Sequence, residues 1–576
     1  MYIIPKPQSM TLTEEKILVN SVVVTADCPK VLEFAQEISD PKGEVCVTFA
    51  KDEALSKEQY RLTVAKEGIS VTYGTAEGAF RGLTTLKQIL DQREEGMLPC
   101  LEICDGASID NRGYMLDISR GKIPSLEYLK KFVDILADLK YNQLQLYMES
   151  FVYEYKNFPD YWKDTEPLKA SELKELEEYC QKKFIKLVPN QNGFGHMAAW
   201  TRKPELSHLA ITGKTGQPSA TLNPLLPESL EFMDKVYDGF LDTFSADMIN
   251  IGMDEPFELG LNETKEICEK LGVGRVYTDY LNKICKLILE KYHKIPMFWD
   301  DIIFKHPEEL ENIPKEAIVM EWGYETEQHF DRNCRRLQER GLRFYVCPGS
   351  STWGSFTGRT NNAIRNITDS AETGNYYGAE GFLLTEWGDG GHPQFPAVSY
   401  FPLIVAAAAS WNCGNHNHEI AYEERRHLLA DCKSYLDTYL FHSKGEKSLA
   451  DIAYRMGNYY LQEDCLQFNN TDTSWYLRTR REPTAQEKAG FLRVKTYMQG
   501  LKAELAQVEA DEISKAQLDL NADMVITAAE LLVNGKSDAT DKEILRICEE
   551  FERLWMMDNH HAGVNVFQDF FKTYLQ

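Results

Sequence analysis

Between residues 108 and 438 the chain alternates short apolar runs with stretches whose apolar residues recur every three or four positions. The runs are Gly113–Ile118, Gln143–Met148, Ile185–Pro189, Met248–Gly252, Pro296–Trp299, Ile318–Trp322, Arg343–Cys347 and Phe382–Trp387. Glu127–Lys140, Arg275–His293 and Glu325–Arg340 are among the stretches between them that carry helical periodicity. Eight β-then-α units predict a (β/α)8 TIM barrel of the α/β class. Ahead of it, residues 1–107 combine β-like runs such as Tyr60–Val64 and Ile69–Tyr73 with one helical pattern, Ala76–Gln92, which predicts a small α/β domain. Residues 439–576 have almost no β-branched runs but repeat apolar residues at helical spacing, as in Ala489–Val508 and Asp541–Trp555, and are expected to form a helical C-terminal region. That region could pack beside the barrel, complete a pocket, or make a homodimer contact.

An active site in such a barrel lies at the carboxyl ends of the strands. The fifth to eighth runs end at or shortly before Trp299, Trp322, Trp353 and Trp387, four of the nine tryptophans in the chain. Indole faces stack on the C–H faces of sugar rings while neighbouring polar groups bind hydroxyls, so this rim suggests a carbohydrate pocket. The plainer alternative, core tryptophans filling the barrel mouth, explains any one of them better than it explains all four together.

The fourth run leads into Asn250-Ile251-Gly252-Met253-Asp254-Glu255-Pro256. Two consecutive carboxylates at the end of an apolar strand need solvent or partners, and Pro256 stops strand pairing. Neighbouring side chains on a strand point to opposite faces, so both acids enter one pocket only if the backbone turns here. By itself an Asp-Glu dipeptide is usually a solvated loop.

Its surroundings change that reading. Residues 73–86 (YGTAEGAFRGLTTL), the segment Arg112-Gly113-Tyr114-Met115-Leu116-Asp117-Ile118-Ser119-Arg120, Gly195-His196, Gly252-Met253-Asp254-Glu255 and residues 384–389 (LTEWGD) resemble, in order, the signatures of glycoside hydrolase family 20, the β-N-acetylhexosaminidases. The resemblance runs from residue 1 to about residue 435. It implies that Glu255 is the acid/base and that Asp254 orients the substrate acetamido group. The activity implied is that of a retaining exo-enzyme removing terminal β-linked GlcNAc or GalNAc, in which the substrate's own acetamido oxygen attacks the anomeric carbon and forms an oxazoline. It further implies that Arg112 holds the C3 and C4 hydroxyls, that Trp299, Trp322 and Trp387 wall the terminal sugar, and that Asp389 reads an outer hydroxyl. Glu149, closing the second strand, is a candidate of the same kind, and Trp353 and Tyr324 are expected to line the pocket. The chain also departs from the family. Asn250 and Met253 stand where many members have His and Gly, and Asn192 replaces the acid four positions before His196, so an Asp–His dyad cannot form between those two positions.

A net charge of −26 and a pI near 5.0 disfavour nucleic acid and anionic membrane surfaces as partners. Thirteen cysteines without CxxC pairs argue for a reducing compartment. With no signal-like start, a cytoplasmic location is expected. No cofactor or metal is implied: His196 stands alone at a strand end, and His416 and His418 fall past the last strand. Two other functions compete with the family reading. One is a retaining glycosidase using Glu321 or Glu386 as nucleophile with Glu255 as acid; the other is a non-catalytic sugar-binding barrel. The partner expected in each case is a glycan.

Overall fold

The computed structural model describes residues 1–414, 421–465 and 467–575, with side chains left aside at 421–425. His416 and His418 lie outside the described residues.

The first strands are β1 (Ser9–Leu18), β2 (Val22–Ala26), β3 (Val45–Lys51), β4 (Tyr60–Ala65), β5 (Gly68–Tyr73) and β6 (Met97–Asp105). They form one mixed sheet in the order β1-β6-β4-β5-β3-β2. The helix Ala76–Asp91 packs on it, and Leu83, Leu86 and Ile89 of that helix join Val47, Leu62 and Val71 in a separate small core.

The barrel strands are β7 (Asn111–Asp117), β8 (Gln143–Met148), β9 (Lys186–Gln191), β12 (Met248–Asn250), β13 (Ile295–Trp299), β14 (Ile318–Trp322), β15 (Arg343–Cys347) and β16 (Gly381–Glu386). They close in the order β12-β13-β14-β15-β16-β7-β8-β9, and a short hairpin of β10 (Ala210–Thr212) and β11 (Pro218–Leu222) is inserted between β9 and β12. All eight predicted strands are present. The fourth is shorter than its apolar run because regular pairing ends at Asn250, although the Ile251 N–H still donates to the Met297 carbonyl at 2.8 Å and the Gly252 carbonyl accepts from Trp299 at 3.0 Å.

Inside the barrel the side chains change character along the axis. Met115, Val188, Met297, Ile318 and Leu383 fill the interior together with Trp299, Tyr324, Trp353 and Trp387, which stand at or beyond the strand ends. Bulky apolar layers make the lower barrel a packed core, so an opening can form only above them.

A buried ion cluster holds the first domain against the lower end of the barrel. Arg112 donates to Glu58 at 2.6 and 3.0 Å, and Lys140 donates to Asp105 at 3.0 Å with both side chains fully buried. Trp411 Nε1 also donates to Asp105, at 2.9 Å.

After the barrel helix Pro396–Trp411 the named elements of the described residues are all helices. The helices Asp472–Thr479, Ala485–Leu505, Glu512–Asn534, Asp538–Asp558 and Val564–Lys572 pack against one another and on the barrel. Thr484 and Ser537 accept backbone N–H groups at their N-termini, as capping residues do. Among the described residues no helix is long and apolar enough to cross a membrane.

Candidate active site

Past Asn250 the backbone turns sharply: Gly252, Met253 and Glu255 have φ of 69°, 75° and 49°. Left-handed conformations are costly for residues with a Cβ, and the turn is held by Asn250 Oδ1, which accepts the Gly252 N–H at 3.0 Å. Gly252 is needed for space as well, because a Cβ there would lie 2.8 Å from the Asn192 Cα. The turn brings the two consecutive acids into one cavity of about 320 Å3 at the carboxyl end of the barrel.

Asp254 lies deepest. Its side chain is 9% exposed against 35% for Glu255. Asn192 Nδ2 donates to Asp254 Oδ1 at 2.6 Å, and His196 Nε2 lies 3.1 Å from Asp254 Oδ2 and 3.4 Å from Glu255 Oε2. The other ring nitrogen of His196 is 3.5 Å from Glu149. Gly195 makes this approach feasible, since a Cβ on it would fall 2.0 Å from the Asp254 carbonyl oxygen. Burial works against charge on both partners, yet attraction prevails. Asp254 is held below the usual carboxylate range by His196 and Asn192, and His196 is raised well above the usual histidine range, chiefly by Asp254. The pair is therefore carboxylate and imidazolium at neutral pH. Asn192 does not engage His196 as a substitute for the missing acid; it holds Asp254, and Glu149 is the carboxylate facing the imidazole on its far side.

Trp299, Trp322, Tyr324, Trp353 and Trp387 line the cavity with Asp389. Trp387 Nε1 donates to the Tyr324 hydroxyl at 2.9 Å, and Tyr324 meets Trp353 edge-on at 5.0 Å between ring centroids. These bonds fix the orientation of the aromatic walls. Glu149 and Asn192 stand one layer behind, each in contact with a lining residue.

The position of Arg112 requires a correction. It is the second residue of β7 and lies at the amino end of the strand, 1% exposed, bonded to Glu58 and to the carbonyls of Ile109, Asp110 and Lys140. With a rise of about 3.3 Å per residue, the five steps from Arg112 to the carboxyl end of β7 at Asp117 put it roughly 17 Å below the barrel rim. The arginine that this signature brings to the cavity is Arg120, at its other end. It sits 5.1 and 5.2 Å above the Tyr147 and Trp387 rings and 2.9, 3.2 and 3.6 Å from Asp117, Glu149 and Asp389.

Sequence reasoning also missed Phe468, Asn469, Asn470 and Arg478, which line the mouth. They come from the C-terminal helical region, which thus completes the cavity, and no local pattern in the sequence distinguishes them.

Glu321 and Glu386, the alternative nucleophiles, do not line the cavity. Glu321 is bound by Asn333 at 3.0 and 3.2 Å, and Glu386 accepts from Tyr114 and Ser399. Burial pushes each up to about 7, which further weakens it as a nucleophile. Among the described residues no cluster of three or more His, Cys, Asp or Glu is arranged to hold a metal.

A barrel whose strand ends carry an aromatic-walled cavity and an adjacent Asp–Glu pair belongs with the sugar-processing barrels. The model of "Glycosyl hydrolase family 20, catalytic domain" matches residues 110–381, and that of "Glycosyl hydrolase family 20, domain 2" matches residues 1–106. The chain belongs to glycosyl hydrolase family 20. It is 30% identical over 278 residues to a beta-hexosaminidase of Akkermansia muciniphila, covering 42% of this chain and 56% of that protein. It is 29% identical over 315 residues to the beta-hexosaminidase subunit alpha of Bos taurus, covering 50% and 57%. The chain thus spans about half the length of the curated relatives it matches. Among solved structures, the chitobiase of Flavobacterium johnsoniae shares the fold over 99% of both chains, with a TM-score of 0.62 at 17% identity. The exo beta-N-acetylglucosaminidase of Vibrio harveyi does so over 75% of this chain and 76% of its own, with a TM-score of 0.58 at 18% identity.

Proposed function

We propose that the protein is a retaining exo-β-N-acetylhexosaminidase that removes terminal β-linked GlcNAc or GalNAc from glycans with help from the substrate's acetamido group. The observation that carries this reading is the unequal carboxylate pair: Asp254 buried at 3.1 Å from His196, and Glu255 beside it, about one-third exposed.

The terminal sugar enters among the tryptophans, and Arg120 with Asp389 binds its outer hydroxyls through charge-assisted hydrogen bonds. Asp254 accepts the acetamido N–H, which turns the acetamido oxygen toward the anomeric carbon and stabilises the positive charge that develops on the group. As that oxygen forms its bond to carbon, the glycosidic bond breaks and Glu255 gives its proton to the leaving oxygen. Glu255, now a carboxylate, takes a proton from water while the water oxygen opens the oxazolinium ring. Two displacements at one carbon retain its configuration. His196, fixed between both acids, keeps Asp254 charged and holds the two carboxylates in register. A protein nucleophile would need a second carboxylate about 5 Å from the acid; Glu321 and Glu386, the two candidates for that part, do not line the cavity.

Aryl β-N-acetylglucosaminide and β-N-acetylgalactosaminide, assayed beside the plain β-glucoside and β-galactoside with a thiazoline mimic of the oxazoline, test this reading. Turnover confined to the N-acetyl substrates and blocked by the thiazoline supports it. Turnover of plain glycosides that ignores the inhibitor would overturn it.

A further inference from the structure

We propose that the C-terminal segment around residues 468–478 forms a subsite for the leaving group, with Phe468 as a platform on which the apolar face of the penultimate sugar stacks. The inference rests on the hexosaminidase reading given above and adds to it the class of leaving group.

Exposure grades outward through the cavity. Trp299, Trp353, Tyr324 and Trp387 are at most 8% exposed, so they enclose the terminal sugar. Glu255 must reach the glycosidic oxygen, and its 35% exposure places the scissile bond near the opening. Whatever is attached to that oxygen extends past Glu255 toward solvent. Phe468 lines this mouth and is 70% exposed, the one largely exposed aromatic ring among the described lining residues. Covering an exposed phenyl ring is favourable, and a ring face beside a sugar pocket suits the C–H face of another sugar.

The ring is carried on a segment pinned to the barrel rather than on a loose tail. The Asn469 N–H donates to Glu325 Oε1 at 2.7 Å, and Glu325 is bonded twice to the buried Arg359, at 2.9 and 3.0 Å. The Thr471 N–H donates to the Gly354 carbonyl at 3.0 Å. Gly354 has φ of 61°, and a Cβ on it would lie 2.5 Å from the Asn469 carbonyl oxygen. The barrel loop is thus shaped to receive this segment closely. Thr471 then caps the helix Asp472–Thr479, accepting the Ser474 N–H, and this helix sets Arg478 at the same mouth beside Asn470. A platform held in place before the substrate arrives loses little entropy on binding.

The test compares a disaccharide, whose leaving group is a sugar ring, with the methyl β-N-acetylhexosaminide, whose leaving group has no ring, in the parent, Phe468→Ala and Phe468→Trp. The ratio of kcat/KM for disaccharide over methyl glycoside should fall about tenfold in Phe468→Ala, the loss expected for about 1.4 kcal/mol of stacking, and should return toward the parent value in Phe468→Trp. A ratio unchanged in Phe468→Ala, with the parent active on both substrates, overturns the subsite alone. Inactivity of the parent on both overturns the hexosaminidase reading and the subsite with it.

Discussion

The two ends of the barrel each bury a cluster of charges, and they do opposite things with it. At the amino ends of the strands Arg112, Glu58, Lys140 and Asp105 form an enclosed network between barrel and first domain. Glu58 is held down at about 2 there, burial being outweighed by Arg112 and Arg81. At the carboxyl ends His196 lies 3.1 and 3.4 Å from Asp254 and Glu255, and Arg120 pairs with Asp117 and Glu149, but Asp254, His196, Glu255 and Arg120 line an open cavity. Buried ion pairs and displaced pKa values therefore do not mark a catalytic site. Access decides it: Arg112 and Lys140 of the lower cluster are at most 1% exposed, whereas the upper one keeps Glu255 and Arg120 within reach of a substrate.

Substitutions at the two ends should separate activity from stability. Asp254→Asn, nearly unchanged in shape, should lower kcat by about a thousandfold, about 4 kcal/mol, with an unaltered circular dichroism spectrum; near-normal turnover would remove Asp254 from the mechanism. Arg112→Met should act in the reverse way. It leaves Glu58 with only part of its compensation and should cost about 3 kcal/mol of stability, seen as an earlier denaturant transition, while the folded fraction still turns over substrate. A loss of activity without a loss of stability would return Arg112 to the active site. Arg120→Lys, which keeps the charge but loses the planar fork, should reduce kcat/KM by about thirtyfold, about 2 kcal/mol, with an intact fold.

The smallest effect concerns protonation. His196 has its pKa raised by Asp254, so its imidazolium contributes fully below the ordinary histidine value near 6.5 and is lost as pH rises through the higher folded value. An NMR titration should find His196 still protonated above pH 6.5 in the parent, and its midpoint should fall in Asp254→Asn. An unshifted midpoint in the parent would contradict the ion pair.

Much of the fold was legible in the sequence because barrel strands buried on both faces read as short apolar runs, and those at Gln143–Met148, Ile318–Trp322 and Arg343–Cys347 have the bounds seen in the structure. The turn at Gly252–Glu255 was foreshadowed by physics alone, since two adjacent acids cannot share a pocket on a straight strand. The choice between Arg112 and Arg120 was harder. Both belong to one signature, and only strand polarity and the extent of β7 show which of them reaches the cavity. Phe468 and Arg478 were illegible for a different reason. Their place depends on where the C-terminal helices dock, and that docking is set by contacts such as Asn469 to Glu325, 144 residues apart.

The central claim is that the substrate's acetamido oxygen, steered by Asp254, is the nucleophile. Its most direct measurement is kcat/KM across aryl β-glucosaminides bearing N-acetyl, N-fluoroacetyl, N-difluoroacetyl and N-trifluoroacetyl groups. Each fluorine drains electron density from the attacking oxygen, so the account predicts a steep, progressive fall along the series; a flat series would show that the acetamido group does not attack and would contradict the account.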